Sequence, residues 1–106
     1  DDNTCGFYPG KDDIIITGRS YEEIDKVSVF LTNNSILNKV YFNQVKYSEK
    51  TRENSGEHKA RIINMLFDNN VHVEYFFEDD PIQKDIIINN CSHVKLIFID
   101  NPYMEK

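Results

Sequence analysis

The sequence predicts an all-β fold, a two-sheet β-sandwich of about seven strands with at most one short helix. Three observations carry this expectation. Short apolar runs alternate with polar residues at a period of two, turn-forming residues separate them at sandwich-like spacing, and no repeat or linker divides the 106 residues. The length suits one domain with one modest core, so residues 1–106 are read as a single sandwich domain.

The first strand is Ile14–Ile15–Ile16–Thr17, a β-branched run that Gly18 closes. Val27, Val29 and Leu31 alternate with Ser28, Phe30 and Thr32 and predict the second, ended by the turn residues Thr32–Asn33–Asn34–Ser35. A longer strand runs through Val40, Phe42, Val45 and Tyr47, and the slip in its alternation places a bulge near Asn43–Gln44. The polar stretch 48–59 reads as a mobile loop. Residues 60–67 fit either helix or strand, since Ile62, Ile63, Leu66 and Phe67 have helical spacing while Ile62 and Leu66 also share a strand face. Flanking strands favour strand. Asp68–Asn69–Asn70 then reads as a hairpin turn into Val71, Val73, Tyr75 and Phe77, which Glu78–Asp79–Asp80–Pro81 breaks. Ile86–Ile87–Ile88 and the run from Val94 to Ile99 complete the set.

Hydrophobic residues at 40% and charged residues at 28% are ordinary for a folded domain. A net charge of −6, with basic residues interleaved among acids, argues against nucleic acid as a partner. No apolar run is long enough to span a membrane, so membrane attachment is expected only through an anchor outside this chain. The start at Asp1–Asp2–Asn3, without Met or a signal peptide, reads as a domain excised from a larger protein.

Cys5 and Cys91 lie at opposite ends. In a secreted protein they would form a disulfide, restricting the unfolded chain by roughly 4–5 kcal/mol; the alternative is two unrelated buried thiols in a cytosolic protein. The sequons at Asn33 and Asn90 are expected by chance in a chain so rich in Asn.

Catalytic chemistry is not expected. Cys91–Ser92–His93 joins suitable residue types, but no signal exists for a depressed thiol pKa or an oxyanion site. His58, His72 and His93 lack metal-ligand spacing, and Glu78–Asp79–Asp80 lacks the pattern of a calcium loop and reads as a solvated turn. No cofactor, metal or small-molecule substrate is expected. Exposed aromatics are the candidate contacts for a protein partner: Tyr41, Tyr47, and Phe76 if Tyr75 and Phe77 face inward.

Three segments resemble the six-cysteine surface antigens of malaria parasites. Cys5–Gly6–Phe7 is similar to the opening of those domains, Val40–Tyr41–Phe42–Asn43–Gln44–Val45–Lys46–Tyr47 to their mid-domain strand, and Cys91 before Val94–Ile99 to the approach to their final strand. Four of the six cysteines are absent, and a Cys5–Cys91 bond would depart from the family's usual pairing. The resemblance implies a degenerate two-cysteine β-sandwich on a parasite surface, held by a lipid anchor elsewhere, without enzymatic activity. Its expected roles are gamete recognition, host-cell adhesion or immune evasion through protein partners. The alternatives are a stand-alone secreted or viral immune-modulator that captures a host protein, and an intracellular β scaffold.

Overall fold

Ser20 and Asp80 carry the chain from a strand into a helical segment, Thr51 carries it from a 3-10 turn into a long helix, and these three caps set the architecture. The computed structural model describes residues 10–98. Among them four short strands alternate with three helices: β1 (Ile15–Ser20), α1 (Ile24–Asn33), β2 (Val40–Asn43), α2 (Arg52–Asp68), β3 (Tyr75–Glu78), α3 (Pro81–Asn90) and β4 (Lys95–Phe98). The Ser20 hydroxyl accepts from the Glu22 amide at 3.1 Å while the Glu23 carboxylate accepts from the Ser20 amide at 3.1 Å, a reciprocal cap that opens the 3-10 turn leading into α1. Thr51 and Asn54 repeat the arrangement at α2, and Asp80 followed by Pro81 starts α3.

Both strand pairs are parallel. β1 pairs with β2 and β3 pairs with β4, so a helix-bearing crossover joins each pair, α1 in the first and α3 in the second. The long helix α2 connects the two units. Its Ala60 and Ile63 meet Ile87 and Cys91 of α3 in the core, and Ile16, Val73, Phe76, Val94 and Leu96 pack around them. Fully burying Ile63 and Ile87 contributes roughly 1.5–3 kcal/mol each. Gly56 lets the two helices approach, because a Cβ there would lie 3.1 Å from the Gln83 backbone and 3.1 Å from the Ile86 side chain.

This α/β architecture overturns the expected β-sandwich. The run Val27–Val29–Leu31 is helical: Val27 is buried while Val29 is 61% exposed, because Val27, Phe30 and Leu31 follow the helical spacing of three and four on the inward face. Residues 60–67 belong to α2, which also takes in most of the expected loop 48–59. Ile86–Ile87–Ile88 lies in α3, with Ile87 buried and Ile88 out in solvent. Asn33–Asn34–Ser35 and Asp68–Asn69–Asn70 do turn the chain, but as helix ends. Ser35 (φ 59°) and Asn70 (φ 64°) adopt the left-handed conformation, and the Ile36 and Val71 amides reach back to Leu31 and Leu66 at 2.8 Å. The irregularity expected at Asn43–Gln44 falls in β1 instead, between Ile16 and Ser20. The expected closing strand is present as β4.

The disulfide is also corrected. Cys91 is a free, buried thiol at the end of α3, and its Sγ donates to the Ala60 carbonyl at 3.4 Å. Cys5 lies outside the described residues. The β-sandwich that the six-cysteine resemblance implied and the disulfide expected from the placement of the two cysteines are therefore both absent among the described residues.

Gly18 marks where β1 meets α2. A Cβ there would sit 2.8 Å from both Cβ and Oγ of buried Ser55. Gly18→Ala is expected to destabilise the protein by about 1–3 kcal/mol in urea unfolding. Ser55→Gly should relieve part of that cost in a double-mutant cycle, and strictly additive effects would disprove the contact's role.

Candidate functional site

In parallel α/β structures the strand ends that point the same way gather loops and helix starts at their carboxyl edge, where ligands usually bind. In this chain the edge collects Ser20 from β1, Asn43 from β2 and Glu78 from β3, followed by Asp79 and Asp80. Ser20, Asn43, Glu78 and Asp80 are all buried, which makes their hydrogen bonds the first question.

The Ser20 hydroxyl donates to the Val45 carbonyl at 2.6 Å, tying β1 to the loop after β2. Asn43 donates to the Gly18 carbonyl and to the Asn54 side chain, each at 3.3 Å. Thr17 Oγ1 accepts from the Arg19 amide at 3.1 Å, and the Ser55 hydroxyl reaches the Gly18 carbonyl at 3.4 Å. One helical turn beyond Ser55, the Lys59 ammonium donates to Glu78 Oε1 at 2.8 Å, with side chains only 13% and 3% exposed. The second Glu78 oxygen accepts from the Asp79 and Asp80 amides at 3.2 Å.

Asp80 accepts a two-pronged contact from Arg52, Nε at 3.0 Å and Nη2 at 2.5 Å, together with Gln83 Nε2 at 2.9 Å and the Ile82 amide at 3.0 Å. Burial by itself pushes this carboxyl up. The donors from Arg52, Gln83 and Ile82 outweigh it and hold Asp80 below the ordinary carboxylate value, while the same contact with Asp80 raises Arg52. Glu78–Asp79–Asp80 is thus no solvated turn: Glu78 anchors Lys59 and Asp80 caps α3.

His58 lies fully buried beside Lys59. Its Nε2 is 3.3 Å from the Tyr41 carbonyl and its Nδ1 is 3.4 Å from Arg61 Nη2. The carbonyl can only accept and the guanidinium can only donate, which assigns the proton to Nε2 of a neutral ring. Burial lowers its pKa first, and the Arg61 and Lys59 charges add to that against the raising bonds to the Tyr41 and Thr17 backbone.

Next to the edge, Arg19, Glu22, Glu23, Lys26, Tyr47 and Lys50 line an open cleft of about 530 Å³. Glu22 accepts from the Tyr47 amide at 2.6 Å, and Glu23 is held by Ser20 and by Arg19 at 3.1 Å. The Lys50 ammonium stands 5.6 Å from the centre of the Tyr47 ring.

The residues singled out in the sequence are scattered. Tyr47 is 62% exposed in the cleft, whereas Tyr41 is half-buried in β2 beneath the Lys39 ammonium. Phe76 packs on the core, and Tyr75 and Phe77 take the outer face of β3. Burial raises the Cys91 thiol, and His93 stacks on Phe67 at 4.1 Å rather than serving a nucleophile. Among the described residues, no group of three or more His, Cys, Asp or Glu is placed to hold a metal ion.

The edge residues were missed because only tertiary structure brings them together. Two sequence signals were nevertheless present, Thr51-x-x-Asn54 and Asp80–Pro81, both helix starts. No protein-family profile, curated protein or solved structure matches the chain.

The lowered pKa of His58 makes a pH prediction. Below 6.5 the unfolded chain takes up this proton before the folded one does. The stability tied to neutral His58 is complete above that value and declines as pH falls toward the folded pKa. Urea unfolding at about pH 7.5 and about pH 5.5 should show a loss of at most about 1.4 kcal/mol per pH unit that His58→Gln removes. Equal pH slopes in the two proteins would contradict the assignment.

Proposed function

We propose that this α/β unit binds a small phosphorylated ligand at the carboxyl edge of its strands, with Lys59 as the cation that meets the phosphate. The supporting observation is the buried Lys59–Glu78 pair in that position. A buried ion pair is poor value as a stabilising device, since removing two charges from water consumes most of their attraction. As a preorganised site it has a purpose. Glu78 fixes the ammonium with one hydrogen bond, and an ammonium has three donors.

The neighbours suit the same ligand. Thr17–Gly18–Arg19 lies in the second half of β1, where its register with β2 shifts, beside Ser55, one turn from Lys59 on α2, and Gly18 keeps side-chain bulk out of that contact. This reading departs from the sequence expectation of a protein partner and no small-molecule substrate. Its test is a 1H–15N titration of the chain with inorganic phosphate and with ribose 5-phosphate. Shifts should centre on residues 17–20, 55 and 59, and should vanish in the charge-neutral double variant Lys59→Gln/Glu78→Gln. Identical shifts in that variant, or none in the wild type, would rule the reading out.

A second reading retains the protein partner and rests on the outer face of β3, where Tyr75 and Phe77 are each 49% exposed. Parallel sheets are ordinarily covered on both faces, and among the described residues the helices α2 and α3 pack on the other one. The partner at hand for a test is a second copy of the chain. Sedimentation should show concentration-dependent association that Phe77→Lys abolishes. A wild-type monomer at every concentration counts against this reading.

A further inference from the structure

His58 sits where α2 meets the first strand pair, and histidine is the side chain that changes charge near neutral pH. The residue is 1% exposed. Its Nε2 lies 3.3 Å from the Tyr41 carbonyl of β2, and the Thr17 backbone of β1 supports the ring as well. The charges that bear on it, Arg61 and Lys59, are both cationic and both on α2. Glu78 of β3 has both oxygens committed, to Lys59 and to the Asp79 and Asp80 amides. A second proton, on Nδ1, would point at the Arg61 guanidinium, donor facing donor, in a place that water does not reach.

The two sides of α2 are held unequally. Toward α3 and β3 stand the packed Ala60, Ile63, Ile87 and Cys91, the Lys59–Glu78 pair at 2.8 Å and the Arg52–Asp80 contact. Toward β1 and β2 the polar contacts are His58 to Tyr41 at 3.3 Å, Asn43 to Asn54 at 3.3 Å and Ser55 to Gly18 at 3.4 Å, all near the outer limit of a hydrogen bond. A two-stranded pair has little stability of its own, so this is the side that gives way when a buried charge has to be hydrated.

We propose that His58 is a pH-sensitive latch: neutral, it holds the β1–β2 pair on α2, and charged, it lets that pair come away while α2, α3, β3 and β4 stay packed. Burial sets the latch to open below the ordinary histidine range, and Arg61 and Lys59 push the same way. The proton is taken up as the pair opens, so opening becomes more favourable as pH falls below 6.5, by at most about tenfold per pH unit. The latch does not depend on the phosphate reading.

Amide hydrogen exchange on the whole chain, corrected for the intrinsic pH dependence of exchange, reads the opening directly. At about pH 7.5 and at about pH 5.5, the Ile15 amide, which donates to the Lys39 carbonyl, and the other β1–β2 ladder amides should be at least about tenfold less protected than those of Ile63 and Ile87. Between the two pH values their protection should fall several-fold, up to about tenfold, and His58→Gln should remove that fall. Arg61→Gln, which keeps the histidine, should raise the His58 pKa read from its ring proton shifts and shrink the fall. The latch is overturned if the β1–β2 amides are as protected as those of Ile63 and Ile87, or if their protection does not change with pH. An equal fall in His58→Gln, or an unchanged His58 titration in Arg61→Gln, overturns it as well.

Discussion

Helix α2 holds the two strand pairs in one structure, through two contacts a single helical turn apart. Ser55 lies against Gly18 at the end of β1, and Lys59 pairs with Glu78 at the end of β3. The pairs share no ladder among the described residues, so without α2 they are two separate βαβ units, each too small to bury a core. Ala60 and Ile63, farther along the helix, complete the joint by meeting Ile87 and Cys91. Gly56 and Gly18 work as a pair in this respect: one lets α3 approach the helix and the other lets β1 do so.

This joint explains why the carboxyl edge is so polar and yet so well satisfied. Parallel strands end together, their last residues cannot all reach water, and the helix starts packed there bring side chains that answer them. Asn43 is answered by Asn54, Glu78 by Lys59 and two amides, and Asp80 by Arg52, Gln83 and the start of α3. The cost of burying these charges falls on stability, and this is the ground on which a phosphate site is proposed at the edge. At the opposite end of the same strands, Phe67, His72 and His93 form an aromatic cluster, with His93 stacked on Phe67.

How much of this was legible beforehand differs by element. β4 and the start of β1 could be read from their apolar β-branched runs, and both Asn-rich turns lay where the chain does reverse. The helices were misread because period-two and period-3.6 patterns coincide over a few apolar residues. Val27, Val29 and Leu31 satisfy alternation, while Val27, Phe30 and Leu31 satisfy a helix, and the exposure of Val29 decides between them. The capping residues Ser20, Thr51 and Asp80 could have broken the tie, each followed within three residues by its helical partner or by proline. Lys59 had no such signal. Its partner is 19 residues away, in a stretch that composition alone marks as solvated.

By itself the sequence determined where the chain turns and which short runs are apolar, because those properties reside in neighbouring residues. The tertiary structure decided that the strands are parallel, that Cys91 is buried as a free thiol against Ala60, and that Glu78 and Asp80 face protein cations instead of water. Each of these depends on which distant segments pack together. A local pattern specifies the face an element must bury, but the element that covers that face is set by the packing of the whole chain.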